Sequence, residues 1–348
     1  MSGGGGLRIA IVAPAFFGYP ERIAEALRAR GHDVACHDER PSNRVLAKLA
    51  LRLAPGAASR RALRRHHGAL TDAVLAQGAT HVLLISPQGF PAAELARMRA
   101  AGVHVTLYLW DSVGNRGNVS RLLAQTDAVA SFDPADCARH GFVHLPLFGL
   151  SPETPPGIDP PVIDLPDGGS APGPRPVDFL FCATLHSTRP RWLHRVTRIA
   201  ARRGWSLETM GFYHSRPLWL VRNAAAPHLW PQVRRLRTRP YAAGEVAAAM
   251  ARARVVIDVP HPRQTGLPMR VFEALSAGAN VLTTGAQDAA GLPEGLRHRV
   301  LSLPDAAQTE QRMEAALKAV PEPLSEDDRE AISIGRFATR IEALLLGR

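Results

Sequence analysis

Residues 255–284, VVIDVPHPRQTGLPMRVFEALSAGANVLTT, leave few folds open to this chain. Residues 255–259 form an apolar, β-branched run, the composition of a strand covered on both faces. Residues 260–266 follow as a polar loop full of helix and strand breakers. Pro268 suits the first turn of a helix, where its missing N–H costs nothing. The helix is expected over 269–277, with Gly278 in the left-handed position that ends it, and 280–284 resumes a parallel strand. A loop that leaves the carboxyl end of such a strand and feeds a helix N-terminus is where open α/β sheets bind ligands. The same N-terminus favours an anion such as a diphosphate. Arg270 and Glu273, three residues apart, share the helix face nearest the loop. In isolation they read as an ordinary solvated ion pair. Beside that loop they read as a cation for phosphate and a carboxylate for sugar hydroxyls.

The same grammar recurs along the chain. Strands are expected at 7–13, 32–37, 80–86, 103–110, 127–131, 142–146, 177–184, 206–211 and 300–303, with helices between them. Among those helices are 21–30, 92–101, 134–140, 191–203, 243–253 and 308–319, and a terminal helix is expected over 327–346. Residues 216–230 read as an apolar, tryptophan-bearing segment, irregular or helical. Residues 151–176 are rich in proline and glycine without periodicity, which marks a linker. A length of 348 residues suits two domains of about 150 each. The expected organisation is 1–150, linker 151–176, 177–325, and a C-terminal helix 326–348 that crosses back to the first domain.

Composition narrows the partners. Lys48 and Lys318 are the only lysines, so nearly all of the 42 basic residues are arginine, and the net charge is +11. Part of that excess reads as GC-rich coding bias, and the rest points to anionic partners such as nucleotide diphosphates or lipid phosphates. The basic residues are dispersed without an aromatic-interleaved motif or a reading helix, so nucleic acid is not the expected partner. Over 44–65, Arg44, Lys48 and Arg52 recur at i,i+4 and Arg60, Arg61, Arg64 and Arg65 crowd the next helix. That pattern fits either peripheral contact with an anionic membrane or a solvated outer face. No apolar run of about 18 residues appears, and the start runs straight into a strand, so neither a membrane span nor an export signal is expected. Cys36, Cys137 and Cys182 are widely spaced without a C-x-x-C, which argues against a zinc ribbon and for a reducing, cytoplasmic setting.

Several short motifs add a resemblance: YLWDS at 108–112, SFDPAD at 131–136, LPLF at 145–148, TLHSTR at 184–189 and HPRQTGLPMRVFEALSAGANVLTT at 261–284. In this order the chain resembles the GT-B glycosyltransferases, and within them bacterial capsular or lipopolysaccharide enzymes of the CgeB-like branch. The resemblance implies two Rossmann-like, doubly wound parallel-sheet domains facing a cleft, with the nucleotide-sugar held by the C-terminal one. It implies that Glu273 holds the donor ribose and that Arg270 contacts the diphosphate. Thr184, His261, Thr265, Gly266 and Arg189 fall within the donor-binding motifs. The E-x7-E pattern of retaining enzymes needs an acidic residue eight before Glu273, and that position is Thr265. The stereochemical outcome therefore stays open.

Transfer to an acceptor hydroxyl needs a base. Asp111, following a buried strand at its carboxyl end, is the candidate, with an Asx-turn or cap as its alternative role. Asp133 has a similar place, but directly before Pro134 it reads as a helix cap. His186 is the candidate donor to the diphosphate or leaving group. A bound metal is not expected, and neither is any other cofactor. The expected reaction is transfer of a sugar from a nucleotide-sugar to a surface polysaccharide or lipid-linked glycan. A nucleotide-sugar epimerase of similar fold and a non-catalytic nucleotide-binding assembly protein are the alternatives.

Overall fold

Strands rich in Val, Ile and Leu, most of them followed by a helix, pair in parallel in the computed structural model. It describes residues 6–15, 18–41, 57–115, 119–150, 175–262, 264–285 and 291–348. Two compact units result, one of residues 1–146 with 334–348 and one of residues 147–333. Each is a Rossmann-like α/β unit, and together they are of the GT-B fold class.

The first unit holds β1 (Arg8–Ala13), β2 (Asp33–Asp38), β3 (His81–Ile85), β4 (His104–Leu109), β5 (Ala128–Ser131) and β6 (Val143–His144). Their order across the sheet is β2-β1-β3-β4-β5-β6. RIAIVA in β1 and HVTLYL in β4 bury all but their first residues, as strands covered on both faces must. The C-terminal helix Ile334–Leu345 belongs to this unit and packs on the helix Tyr19–Arg28 and on β4. Its Phe337 ring meets Tyr108 at 5.2 Å, and Glu342 pairs with Arg30 and His32. Burying Phe337, Ile341, Leu344 and Leu345 contributes roughly 1.5–3 kcal/mol each, so packing rather than the ion pair holds the helix.

The second unit holds β7 (Val177–Thr184), β8 (Leu207–Phe212), β9 (Ala253–Asp258), β10 (Asn280–Thr283) and β11 (Val300–Ser302). Their order is β11-β10-β9-β7-β8, so the chain reverses direction of travel between β7 and β9. That reversal is the topological switch point, outside whose carboxyl strand ends ligands bind. Phe179, Phe181, Val255, Ile257, Leu282 and Trp219 anchor the core, and the Trp219 indole donates to the Leu185 carbonyl at 3.0 Å.

Several boundaries differ from the sequence reading. The terminal helix is not continuous: Glu326–Ala331 and Ile334–Leu345 are separate helices. The break lies at Ile332 and Ser333, where the Gly149 amide donates to the Ile332 carbonyl at 2.8 Å and Gly149 bridges Ser333. A strand-like partner there outcompetes the next helical turn. Gly149 also lies so close to Ser276 that a Cβ would stand 1.8 Å from its hydroxyl, which ties residues 147–150 to the second unit. The helix expected from 191 starts at Arg189, and 216–230 resolves into the helix Arg216–Arg222 and a 3-10 stretch Pro227–Arg235. Most of the linker, residues 151–174, lies outside the described residues. Arg175, at its end, is anchored: its guanidinium donates to the carbonyls of Ala253 and Ala277, each at 2.7 Å.

Candidate functional site

The strand ends at the β7–β9 switch point carry most of the residues singled out from the sequence. Thr184 is the last residue of β7, and His186 and Arg189 follow it. His261, Thr265 and Gly266 lie in the loop after β9, and Arg270 and Glu273 in the first turns of the helix Met269–Ser276. Pro268 stands just before that helix rather than inside it, and Gly278 takes the left-handed φ of +77° expected after it. Arg263 lies outside the described residues.

Arg189 joins the two strand ends. Its Nε donates to the Val259 carbonyl at 2.7 Å, and Nη1 donates to the Thr184 carbonyl at 3.3 Å and to His186 Nε2 at 3.1 Å. A guanidinium has no acceptor, so His186 Nε2 must accept and the ring must carry its proton on Nδ1, toward Ser187 Oγ at 2.9 Å. Burial, then Arg189, His261 and Arg222, push the His186 pKa down to about 4. The ring is therefore neutral at pH 7. Nε2 accepts from Arg189, and the remaining ring proton lies on Nδ1. Ser187, at φ 54°, holds a left-handed conformation that costs a side-chain-bearing residue about 1–3 kcal/mol. Such strain is tolerated where the surrounding structure fixes a loop.

Asp258 was missed by the sequence reading. It ends β9, is 6% exposed, and accepts from Thr283 Oγ1 at 3.0 Å. Burial raises its pKa, while Arg189, the Thr283 hydroxyl and Arg270 oppose that rise. Inside the run VVIDV it reads as one polar residue in a strand. The signal available was its position as the last residue of that strand. Arg270 and Glu273 pair at 3.2 Å, both partly exposed. Thr265 is exposed in the loop, while Gly266 is buried and its carbonyl accepts from Gln264 Nε2 at 3.1 Å. The site thus sets two arginines and two carboxylates around one pair of strand ends. It suits an anion with polyhydroxyl groups attached.

The first unit treats its own switch point differently. Its order places the reversal between β1 and β3. The loop after β3 turns through Ser86, at φ 39°, and its Gln88 and Gly89 amides donate to the buried Glu39 carboxylate at 2.7–2.9 Å. That backbone anion nest is filled by the chain's own side chain. Asp111 stands partly exposed just past β4. Asp133 is the cap it was expected to be: buried, bonded to the Ser112 hydroxyl, and accepting from the Ala135 amide at 3.1 Å and the Asp136 amide at 3.4 Å.

Of the basic stretch 44–65, residues 44–56 lie outside the described residues. Arg60, Arg61, Arg64 and Arg65 are exposed on the helix Ala57–Ala76. No described helix is long and apolar enough to cross a membrane. Among the described residues no three of His, Cys, Asp and Glu gather as metal ligands.

Known structures share this architecture along its whole length. A glycosyltransferase from Rickettsia africae ESF-5 superposes with a TM-score of 0.59 at 9% identity, covering 99% of each chain. The α,α-trehalose-phosphate synthase (UDP-forming) of Burkholderia xenovorans, in complex with glucose-6-phosphate, gives 0.63 at 14%, covering 98% of this chain and 100% of its own. The UDP-GlcNAc 2-epimerase of Methanocaldococcus jannaschii, in complex with UDP-GlcNAc and UDP, gives 0.55 at 11%, covering 98% and 99%. At these identities the likeness is one of fold. Sequence narrows it further: residues 191–340 match a family described as glycosyl transferase-like. That span takes in the loop after β9 and the helix carrying Arg270 and Glu273. No curated protein matches the sequence.

Proposed function

We propose that the protein transfers a sugar from a nucleotide-sugar to a surface polysaccharide or lipid-linked glycan. The observation that carries this reading is the grouping of Arg189, Arg270, Asp258 and Glu273 at the β7–β9 switch point, within or beside the stretch that matches the glycosyl transferase-like family. Arg270 faces the donor diphosphate, Glu273 takes the ribose hydroxyls, and His261, Thr265 and Gly266 contribute to binding the donor. Arg189, held by His186 and two carbonyls, keeps the site positive. Asp111 serves as base for the acceptor hydroxyl. The residues named bind without a metal.

The epimerase reading has its own support in the UDP-GlcNAc 2-epimerase fold likeness. Both reactions start from a nucleotide-sugar, and fold alone does not choose between them. The products do. Incubation with a panel of nucleotide-sugars and a membrane or glycan extract should release nucleoside diphosphate and leave labelled sugar on the extract. Conversion of the nucleotide-sugar to an isomer without any acceptor would instead establish the epimerase. Binding with neither product would leave a nucleotide-binding protein.

A further inference from the structure

The helix Arg189–Arg203 carries a second cationic feature on its outer face, apart from the donor site. Arg191, Arg195, Arg198 and Arg202 recur at steps of four, three and four, which sets them in one column on an α-helix. With His194 and His228 they line a groove of about 450 Å³. Like charges at these spacings repel, so the column is unfavourable unless something offsets it. Among the described residues lining the groove, the one carboxylate is Glu310, and it is bonded to Arg202 and also faces Arg203 at 3.7 Å. Arg191 and Arg198 are exposed, and no described carboxylate comes within 4.0 Å of either. Arg195 lies 5.5 Å from the Trp192 ring centroid, a cation–π contact that holds its fork in place. His194 and His228 meet edge to face at 5.1 Å. Burial first, then His228 and Arg198, lower the His194 pKa.

We infer that this groove is a second anion site, which binds a ligand carrying at least two phosphate groups through Arg191, Arg195 and Arg198. The fork of a guanidinium matches phosphate oxygens in pairs. Arg191 and Arg198 are seven residues apart, about 10 Å along the axis, which suits linked phosphates better than a single one. Arg189 does not line the groove, and its Nε and Nη1 turn instead to Val259, Thr184 and His186. A soluble polyphosphorylated compound or the headgroups of an anionic lipid surface would supply this chemistry, and the test separates them.

Isothermal titration of the full chain with inorganic tripolyphosphate is the first arm. It is run on an Arg270→Gln background so that the donor site does not compete. Adding Arg191→Gln, Arg195→Gln and Arg198→Gln should weaken binding about tenfold or more, the equivalent of at least one lost charge-assisted contact. Arg191→Gln with Arg198→Gln, both exposed, serves where the fuller variant fails to fold. Cosedimentation with phosphatidylglycerol and with phosphatidylcholine vesicles is the second arm. Binding to the former alone, lost in the arginine variants, supports the site with lipid headgroups as the source. Tripolyphosphate binding lost in those variants, without vesicle binding, supports it with a soluble source. Tripolyphosphate binding that survives the arginine changes, or binding of neither probe, overturns the inference.

Discussion

Replacing Arg189 by methionine removes the group that joins the carboxyl ends of β7 and β9 while keeping a long apolar stem. Three hydrogen bonds go with it, to the Val259 carbonyl at 2.7 Å, the Thr184 carbonyl at 3.3 Å and His186 Nε2 at 3.1 Å. Hydrogen bonds from a charged donor contribute about 1.5–3 kcal/mol each. Counting the short contact in full and the two longer ones together as one more gives a loss of about 3–6 kcal/mol. For a unit of this size, 1 kcal/mol moves the melting midpoint by about 2–4 °C, so the second unit should melt at least about 6 °C lower. The loss should also deepen with pH. Burial raises the Asp258 carboxyl above its ordinary 3.8, and Arg189 is the largest influence opposing that rise. Without Arg189 the folded-state pKa climbs further, so the folded variant keeps a proton that the unfolded chain releases. Stability then falls as pH rises from the unfolded pKa toward the folded one. Calorimetry of both proteins at about pH 5 and about pH 8 reads the two effects. A variant that melts with the wild type, or a gap that stays constant with pH, would refute the reasoning.

Other consequences follow from the same site. In an NMR titration His186 should stay neutral, protonated at Nδ1, down to about pH 4, and a bound nucleoside diphosphate should raise its pKa by offsetting Arg189 and His261. A resonance unmoved by the nucleotide would place the diphosphate elsewhere. Asp111→Asn should lower turnover about 10²–10⁴-fold while leaving donor affinity unchanged, and full turnover would remove Asp111 as the base. Treatment with EDTA should leave activity intact, and a strict Mg²⁺ or Mn²⁺ requirement would count against the metal-free reading. If the exposed Arg60, Arg61, Arg64 and Arg65 meet a membrane, the protein floats with acidic but not neutral liposomes, and equal failure on both removes that contact.

Strands were legible because a parallel sheet covered on both faces forces its strands to be short apolar runs, and RIAIVA, HVLLI, HVTLYL and ARVVID all show it. The loop after β9 was legible for a related reason: breakers between an apolar strand and an amphipathic helix have one place to go. What stayed hidden depends on partners remote in sequence. Nothing near Glu39 announces that the Gln88 and Gly89 amides fold onto its carboxylate. Asp258 looked like an interruption in a strand, and becomes part of the site through Arg189, 69 positions earlier, and Thr283. The break at Ile332 and Ser333 is invisible because the competing bond comes from Gly149. His186 reads as a proton donor in sequence, and only the guanidinium against its Nε2 places the ring proton on Nδ1.

The central claim is that the second unit binds the nucleotide-sugar through Arg270 and Glu273. Calorimetric titration of the wild type, Arg270→Ala and Glu273→Ala with a panel of nucleotide-sugars tests it most directly. Each substitution removes a charge-assisted contact worth about 1.5–3 kcal/mol, so the Kd should rise about tenfold or more in each, with melting behaviour close to the wild type. Unchanged affinity in both variants would contradict the account.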